Sequence, residues 1–213
     1  MNDEKKRLRT VFDDIAEEFA RTRDRPWAEV SAFVADVPRG RVALDVGCAN
    51  GRHVPGLLDR FEVVVGVDFS RALLSIARSA HPAASFVRGE ATAFPIADRA
   101  CEVALCVAVL HHLPSTDERA ALLAELSRVL APGGAALIGV WAIEHPAFDG
   151  EREAIRANDN DTYVPWTADD GTTHDRYYHV FERDDLRSLL DASPLTVDRL
   201  TLRNGNYYAY LRR

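Results

Sequence analysis

The sequence predicts an α/β fold, a doubly wound seven-stranded sheet whose strands are mostly parallel and which closes with an antiparallel pair. Three observations carry this. Short apolar runs recur at 42–44, 63–67, 84–87, 103–107 and 135–140, with intervals suited to helices between them. The first run leads into Asp45-Val46-Gly47-Cys48-Ala49-Asn50-Gly51, where small residues permit a tight strand-to-helix turn. Two C-terminal stretches, 195–202 and 206–212, flank Asn204-Gly205, a strong hairpin-turn signal.

The elements follow in order. Residues 4–20 carry apolar side chains at 8, 11, 12, 15, 16 and 19, a helical spacing with one apolar face. Pro26 fits a helix start, and 27–37 reads as a second helix that packs Trp27, Val30 and Phe33. Pro38-Arg39-Gly40 breaks the chain before the first strand. Residues 1–38 are thus an N-terminal helical extension on a core spanning 41–141. Leu130-Ala131-Pro132-Gly133-Gly134 ends a helix before the strand at 135–140. Residues 143–175 read as polar and irregular, with Asn158-Asp159-Asn160-Asp161 and Asp169-Asp170-Gly171. A long segment of this kind is expected to be a lid or loop, so 143–181 is taken as an insertion on the substrate side. Residues 182–191 read as a helix. The 213 residues suit a single domain over 1–213.

Composition narrows the class. Hydrophobic residues make up 47% of the chain, so it is globular. No apolar run is long enough to cross a bilayer, and no membrane association is expected. The start, MNDEKKRLRT, lacks the apolar centre of a signal peptide, so the expected compartment is cytoplasmic. Cys48, Cys101 and Cys106 have no metal-ligand spacing and read as reduced core thiols; no metal is expected in this chain. A net charge of −7 argues against a general polyanion-binding surface. The acidity is nevertheless uneven. Residues 1–26 carry seven basic and seven acidic side chains, and residues 176–213 carry seven and five.

The chemistry begins at the glycine turn. A dinucleotide loop would place its third glycine five positions after the first. Here the last, Gly51, follows Gly47 by four, and Asp45 precedes Gly47 by two. That spacing fits a ligand without pyrophosphate, one with a cationic amino acid end and an adenosine end. Small residues at Gly47, Ala49 and Gly51 let the backbone approach it. Asp68 ends the next strand 17 residues after Gly51 and can accept both hydroxyls of a ribose. Gly89-Glu90-Ala91 follows the third strand, and Val107 ends the fourth. His111-His112 follow, within Val109-Leu110-His111-His112-Leu113-Pro114, and bring at least one imidazole to the carboxyl edge of the sheet. In this order, over about residues 41–141, these segments resemble the Rossmann-like class I S-adenosylmethionine-dependent methyltransferases. The resemblance implies S-adenosyl-L-methionine as cofactor. Asp45, Gly47, Ala49 and Gly51 would hold its methionine part, Asp68 its ribose, and Glu90 with Ala91 its adenine edge. Phe69 and Val107 complete the cofactor-binding set.

The flanking segments sharpen the resemblance. Phe12-Asp13-Asp14-Ile15-Ala16 is followed by Thr22-Arg23-Asp24-Arg25-Pro26-Trp27, then Val164-Pro165-Trp166, then Arg176-Tyr177-Tyr178-His179-Val180-Phe181. These are similar to segments of the tRNA wobble-uridine carboxymethyl methyltransferases, which esterify carboxymethyluridine at the first anticodon position. The resemblance implies a tRNA anticodon stem-loop as substrate. It also implies a small zinc-binding activator subunit that pairs with a sheet edge, any zinc lying in that partner. His111, Arg23, Arg25, Arg176 and Tyr177 are the expected catalytic group. Arginine suits a carboxylate because its planar fork can bind both oxygens. Trp166, Tyr177 and Tyr178 are candidate platforms for a flipped base, whereas Trp27 is expected to serve packing. Two other readings remain open at this stage. One is a small-molecule O-methyltransferase acting on a carboxylic acid, quinone or phenol; the other is a cofactor-binding scaffold without catalysis.

Overall fold

The computed structural model describes residues 3–213. The helical stripe read over 4–20 is two helices, Asp3–Asp14 (α1) and Ala16–Thr22 (α2). Ile15 at their junction leaves helical geometry (φ −90°, ψ 6°), yet Ile15 N still donates to Val11 O and Phe19 N to Ile15 O. The apolar stripe therefore stays on one side, and Leu8, Phe12, Ile15 and Ala16 bury against Leu73 and Trp166. The next helix, Ala28–Asp36 (α3), begins later than expected. Trp27 is its extended N-cap, and Pro26 lies outside it.

Gly40–Val46 (β1), Val54–Leu58 (α4), Phe61–Asp68 (β2), Arg71–Ala80 (α5), Ser85–Arg88 (β3), Cys101–Val107 (β4), Thr116–Val129 (α6) and Leu130–Trp141 (β5) form the alternating core. Near-continuous apolar runs make β1 and β4 strands buried on both faces. Serines start two of the helices. Ser70 Oγ accepts from Leu73 N at 3.1 Å in α5, and Ser115 Oγ accepts from Glu118 N at 3.2 Å in α6. The stretch 143–175 is not irregular. It holds Arg152–Ala157 (α7) and a separate antiparallel hairpin of Asp161–Thr167 (β6) and Thr173–His179 (β7). These strands escape a hydropathy reading because their buried positions include Arg176 and His179 as well as Tyr177 and Tyr178. The hairpin leans on the N-terminal helices. Tyr163 Oη donates to Glu4 at 3.2 Å, Arg21 donates to Asp169 at 2.6 Å, and Phe19 packs on Trp166.

After Arg183–Asp191 (α8), Thr196–Arg203 (β8) and Asn206–Arg212 (β9) close the sheet. The strand order is β3-β2-β1-β4-β5-β9-β8, with β9 antiparallel to both β5 and β8. Asn204 and Gly205 both have positive φ, 49° and 72°, as a two-residue hairpin turn with the right twist requires. A Cβ on Gly205 would lie 2.6 Å from His145 Cα, so only glycine fits there.

The order reverses between β1 and β4. Strands β2 and β3 lie to one side and β5 to the other, so the carboxyl ends of β1 and β4 flank a crevice, the usual ligand position in such sheets. Helices α1 and α2 and the hairpin β6–β7 roof that crevice. No helix among the described residues is long and apolar enough to cross a membrane.

Candidate active site

The roofed crevice encloses about 1260 Å³ of empty space, its open mouth included. Its floor is the glycine turn. Gly47 (φ 66°), Ala49 (φ 47°) and Gly51 (φ 80°) are all left-handed, which turns backbone rather than side chains toward the cavity. Gly47 and Ala49 line it; Gly51 packs behind, where a Cβ would lie 2.7 Å from the His81 ring. Asp45 also lies behind the turn, 1% exposed, with Oδ2 unpartnered. Burial pushes its carboxyl up to about 7 against the pull of Arg52.

Asp68 is fixed in the wall. Its Oδ2 accepts from Ala49 N at 2.9 Å and its Oδ1 from Ser70 N at 2.8 Å. Burial raises its carboxyl to about 6, although those backbone donors oppose the shift. Phe69, Glu90, Ala91 and Val107 line the cavity as expected from the sequence. Glu90 is also paired with Lys5 of α1, at 3.7 Å.

The expected acceptor residues divide. Arg23 and Arg176 line the cavity, whereas Arg25 is exposed outside it. Tyr177 points away from the cavity, and its hydroxyl donates to Asp161 Oδ1 at 2.8 Å. His111 is displaced as well. It is fully buried, stacks on Tyr178 at 4.7 Å between centroids, and accepts at Nδ1 from Trp141 N at 3.2 Å. Its neighbour His112 takes the place on the cavity. The cause is the tight turn at Leu110–His112, a single 3-10 turn, in which consecutive side chains diverge by about a third of a circle. His112 Nδ1 sits 2.9 Å from Tyr177 O; facing a carbonyl, that nitrogen must carry the proton, so Nε2 is an acceptor. Burial lowers the His112 imidazole to about 3, and it is neutral at physiological pH. Arg23 and Arg176 both lie over the Trp166 ring, which is not a wall of the cavity, whereas Tyr178 is.

Sequence reasoning missed several walls. Lys5, Leu8 and Phe12 enter from α1, Trp27 from the start of α3, and Trp141 from the end of β5. Arg52 was missed too, although its position next to Gly51 was the available signal. Its guanidinium stacks on Trp27, with Cζ 5.2 Å from the ring centroid. The mostly apolar cavity thus carries charged groups of both signs. Asp68 and Glu90 stand at one end, under β2 and β3. Arg23, Arg52 and Arg176 stand at the other; among the described residues none of the three forms an ion pair, and Arg52 feels the Asp45 carboxylate behind the turn. Arg176 is largely buried, with Nε unpartnered.

Comparison with known proteins agrees with this geometry. A family model described as a methyltransferase domain matches residues 44–138. A protein of Encephalitozoon cuniculi named a putative methyltransferase is 31% identical over 197 residues, covering 91% of this chain and 89% of that protein. The tRNA (carboxymethyluridine(34)-5-O)-methyltransferase ALKBH8 of Mus musculus is 36% identical over 153 residues, 72% of this chain. The chain spans 22% of the length of that relative. Among solved structures, the complex between the Haloferax volcanii Trm112 methyltransferase activator and a putative methyltransferase gives a TM-score of 0.72 at 16% identity, over 96% of each chain.

Proposed function

Since this chain belongs to the methyltransferase family, we propose that it transfers a methyl group from S-adenosyl-L-methionine to the carboxylate of carboxymethyluridine at the wobble position of tRNA. The observation that carries the acceptor is the trio Arg23, Arg52 and Arg176, three guanidinium groups at one end of a cavity whose one nearby acid, Asp45 beside Arg52, is pushed up to about 7 by burial. The cofactor brings one carboxylate, so the trio has cationic capacity for a second, supplied by the acceptor.

The residues fit the cofactor. Asp45 Oδ2 is an orphaned buried acceptor beneath the turn, suited to the field of an ammonium group, and Asp68 keeps free lone pairs for two ribose hydroxyls. When bound, S-adenosyl-L-methionine supplies an electrophilic methyl group on a sulfonium. Everything else falls to this chain. Arg52 and Arg23 seat the methionine carboxylate, and Arg176 orients the acceptor carboxylate beside Tyr178. A carboxylate is ionised above about pH 5 and needs no base. His112, neutral and with its acceptor nitrogen fixed, serves as a hydrogen-bond partner and not as a proton shuttle. Catalysis is then alignment in a cavity that the N-terminal helices and the hairpin shield from water.

The same reading includes a small zinc-binding activator. It rests on the likeness to a protein in complex with the Trm112 methyltransferase activator and on open sheet edges at β3 and β8, where Leu202 is exposed. The test is mass analysis of wobble nucleosides. Total tRNA from a strain lacking this chain should accumulate carboxymethyluridine in place of its methyl ester. The chain, copurified with its activator, should restore the ester in vitro. Methylation of small carboxylic acids or phenols, with anticodon stem-loops left untouched, would overturn the tRNA assignment.

A further inference from the structure

Helix α1 reaches the expected ribose site through a chain of hydrogen bonds. Asp13, on the last turn of α1, accepts at Oδ1 from Ser70 Oγ at 2.7 Å and from Ala72 N at 3.1 Å. Ser70 in turn caps α5 and donates its backbone N–H to Asp68 Oδ1. The three residues lie on different elements: α1, the loop before α5 and the end of β2. Ser70 is fully buried between the two carboxylates, and Asp68 is 6% exposed. Next to Asp13, Phe12 packs on Phe69, with ring centroids 6.0 Å apart, and two turns earlier Lys5 reaches Glu90. The helix that roofs the cavity is therefore tied by polar contacts to the two carboxylates on its adenosine side.

We propose that Asp13 is a positioning residue for the cofactor: through Ser70 it fixes the Asp68 carboxylate toward the ribose, so that docking of α1 and filling of the adenosine end are one coupled event. This rests on the cofactor assignment above. Asp13 does not itself touch the ligand. It acts on Asp68 in two ways, by holding Ser70 in register and by standing close as a second negative charge. The groups facing Asp68 are Asp13 from α1, Asp45 from β1, Cys48 in the glycine turn, and the N–H donors of Ala49, Phe69 and Ser70. Asp13 raises the Asp68 carboxyl, and the backbone donors lower it.

The experiment is calorimetric titration of the full chain with S-adenosylhomocysteine between pH 5 and pH 9, with hydrogen exchange of residues 3–22 measured in parallel. Wild-type binding tests the cofactor assignment; the variants test the coupling. Asp13→Ala should weaken binding by about tenfold, the size of one lost hydrogen bond between polar partners, and should abolish the slowing of exchange in α1 that the ligand produces in the wild type. Asp13→Asn keeps an acceptor for Ser70 and removes the charge. Its affinity should hold to lower pH than wild type, because Asp68 ionises more readily without its neighbour. A merely structural contact would not move that profile. Wild-type affinity and an unmoved acid limb in both variants would overturn the proposal and leave the cofactor assignment standing. Absence of wild-type binding would overturn both.

Discussion

Arg176→Met separates an acceptor clamp from a packing residue. The Arg176 guanidinium lies over Trp166 and Tyr178, with Cζ 5.2 and 5.5 Å from their centroids. It is largely buried and has no carboxylate within reach among the described residues. Burial accordingly lowers its pKa. Toward the acceptor, it would contribute charge-assisted hydrogen bonds worth about 1.5–3 kcal/mol, so its loss should cut kcat/KM about 10- to 150-fold. Toward the fold, methionine gives up cation–π contacts of about 0.5–2 kcal/mol but also removes an unpaired, desolvated cation, whose replacement by an apolar side chain of similar volume is often neutral or stabilising. The net change in stability should stay within about 1 kcal/mol. The assay is single-turnover methylation of carboxymethyluridine-bearing anticodon stem-loops, with thermal melting in parallel. A variant that melts several degrees lower yet methylates at the wild-type rate would refute the clamp.

Four further outcomes are expected. At saturating cofactor the single-turnover rate should be nearly flat from about pH 7 to 9, because a carboxylate acceptor needs no base and His112 stays neutral there; a rise with an apparent pKa near 6.5 that disappears in His112→Asn would point to a hydroxyl acceptor instead. Asp45 is held up to about 7 in the fold against an ordinary value of 3.8, so the folded chain binds the extra proton and stability falls as pH rises between those values; Asp45→Asn should raise Tm at pH 8 and weaken cofactor binding, as melting and calorimetry would show. Ala49 sits at φ 47°, where a Cβ costs about 1–2 kcal/mol; less the entropy that glycine forfeits, Ala49→Gly should gain up to about 1 kcal/mol in a denaturant titration. Gly47→Ala would bring a Cβ within 2.2 Å of Val109 Cγ2 and should lose both stability and cofactor binding, in melting and calorimetry alike.

The sheet was legible because buried parallel strands need unbroken apolar runs, and because Asn204-Gly205 allows only a tight reversal. The cofactor end was legible for a related reason. Gly47, Ala49 and Asp68 are dictated by backbone geometry that recurs at the same place in the strand order. The acceptor end was harder to read. His111 and His112 are chemically identical neighbours, and only the pitch of a single 3-10 turn decides which one meets the cavity. The hairpin β6–β7 was hidden because aromatic rings satisfy its buried arginine, a pairing no hydropathy pattern records. The α1 side chains are brought in by tertiary packing from a segment far from the glycine turn in sequence, whereas Arg52 stands directly after that turn.

The unpaired arginines also bear on product release. In the reaction proposed above, methylation would turn the acceptor's anion into a neutral ester, so the charge that Arg176 is proposed to grip would be erased by the reaction itself. The finished nucleoside loses its strongest anchor at the moment it forms, while an unmodified one still carries it. On that reading the cavity would discriminate in favour of unreacted tRNA. Competitive inhibition by the ester product should be weak, and turnover should proceed in one direction without a separate device to eject what has been made.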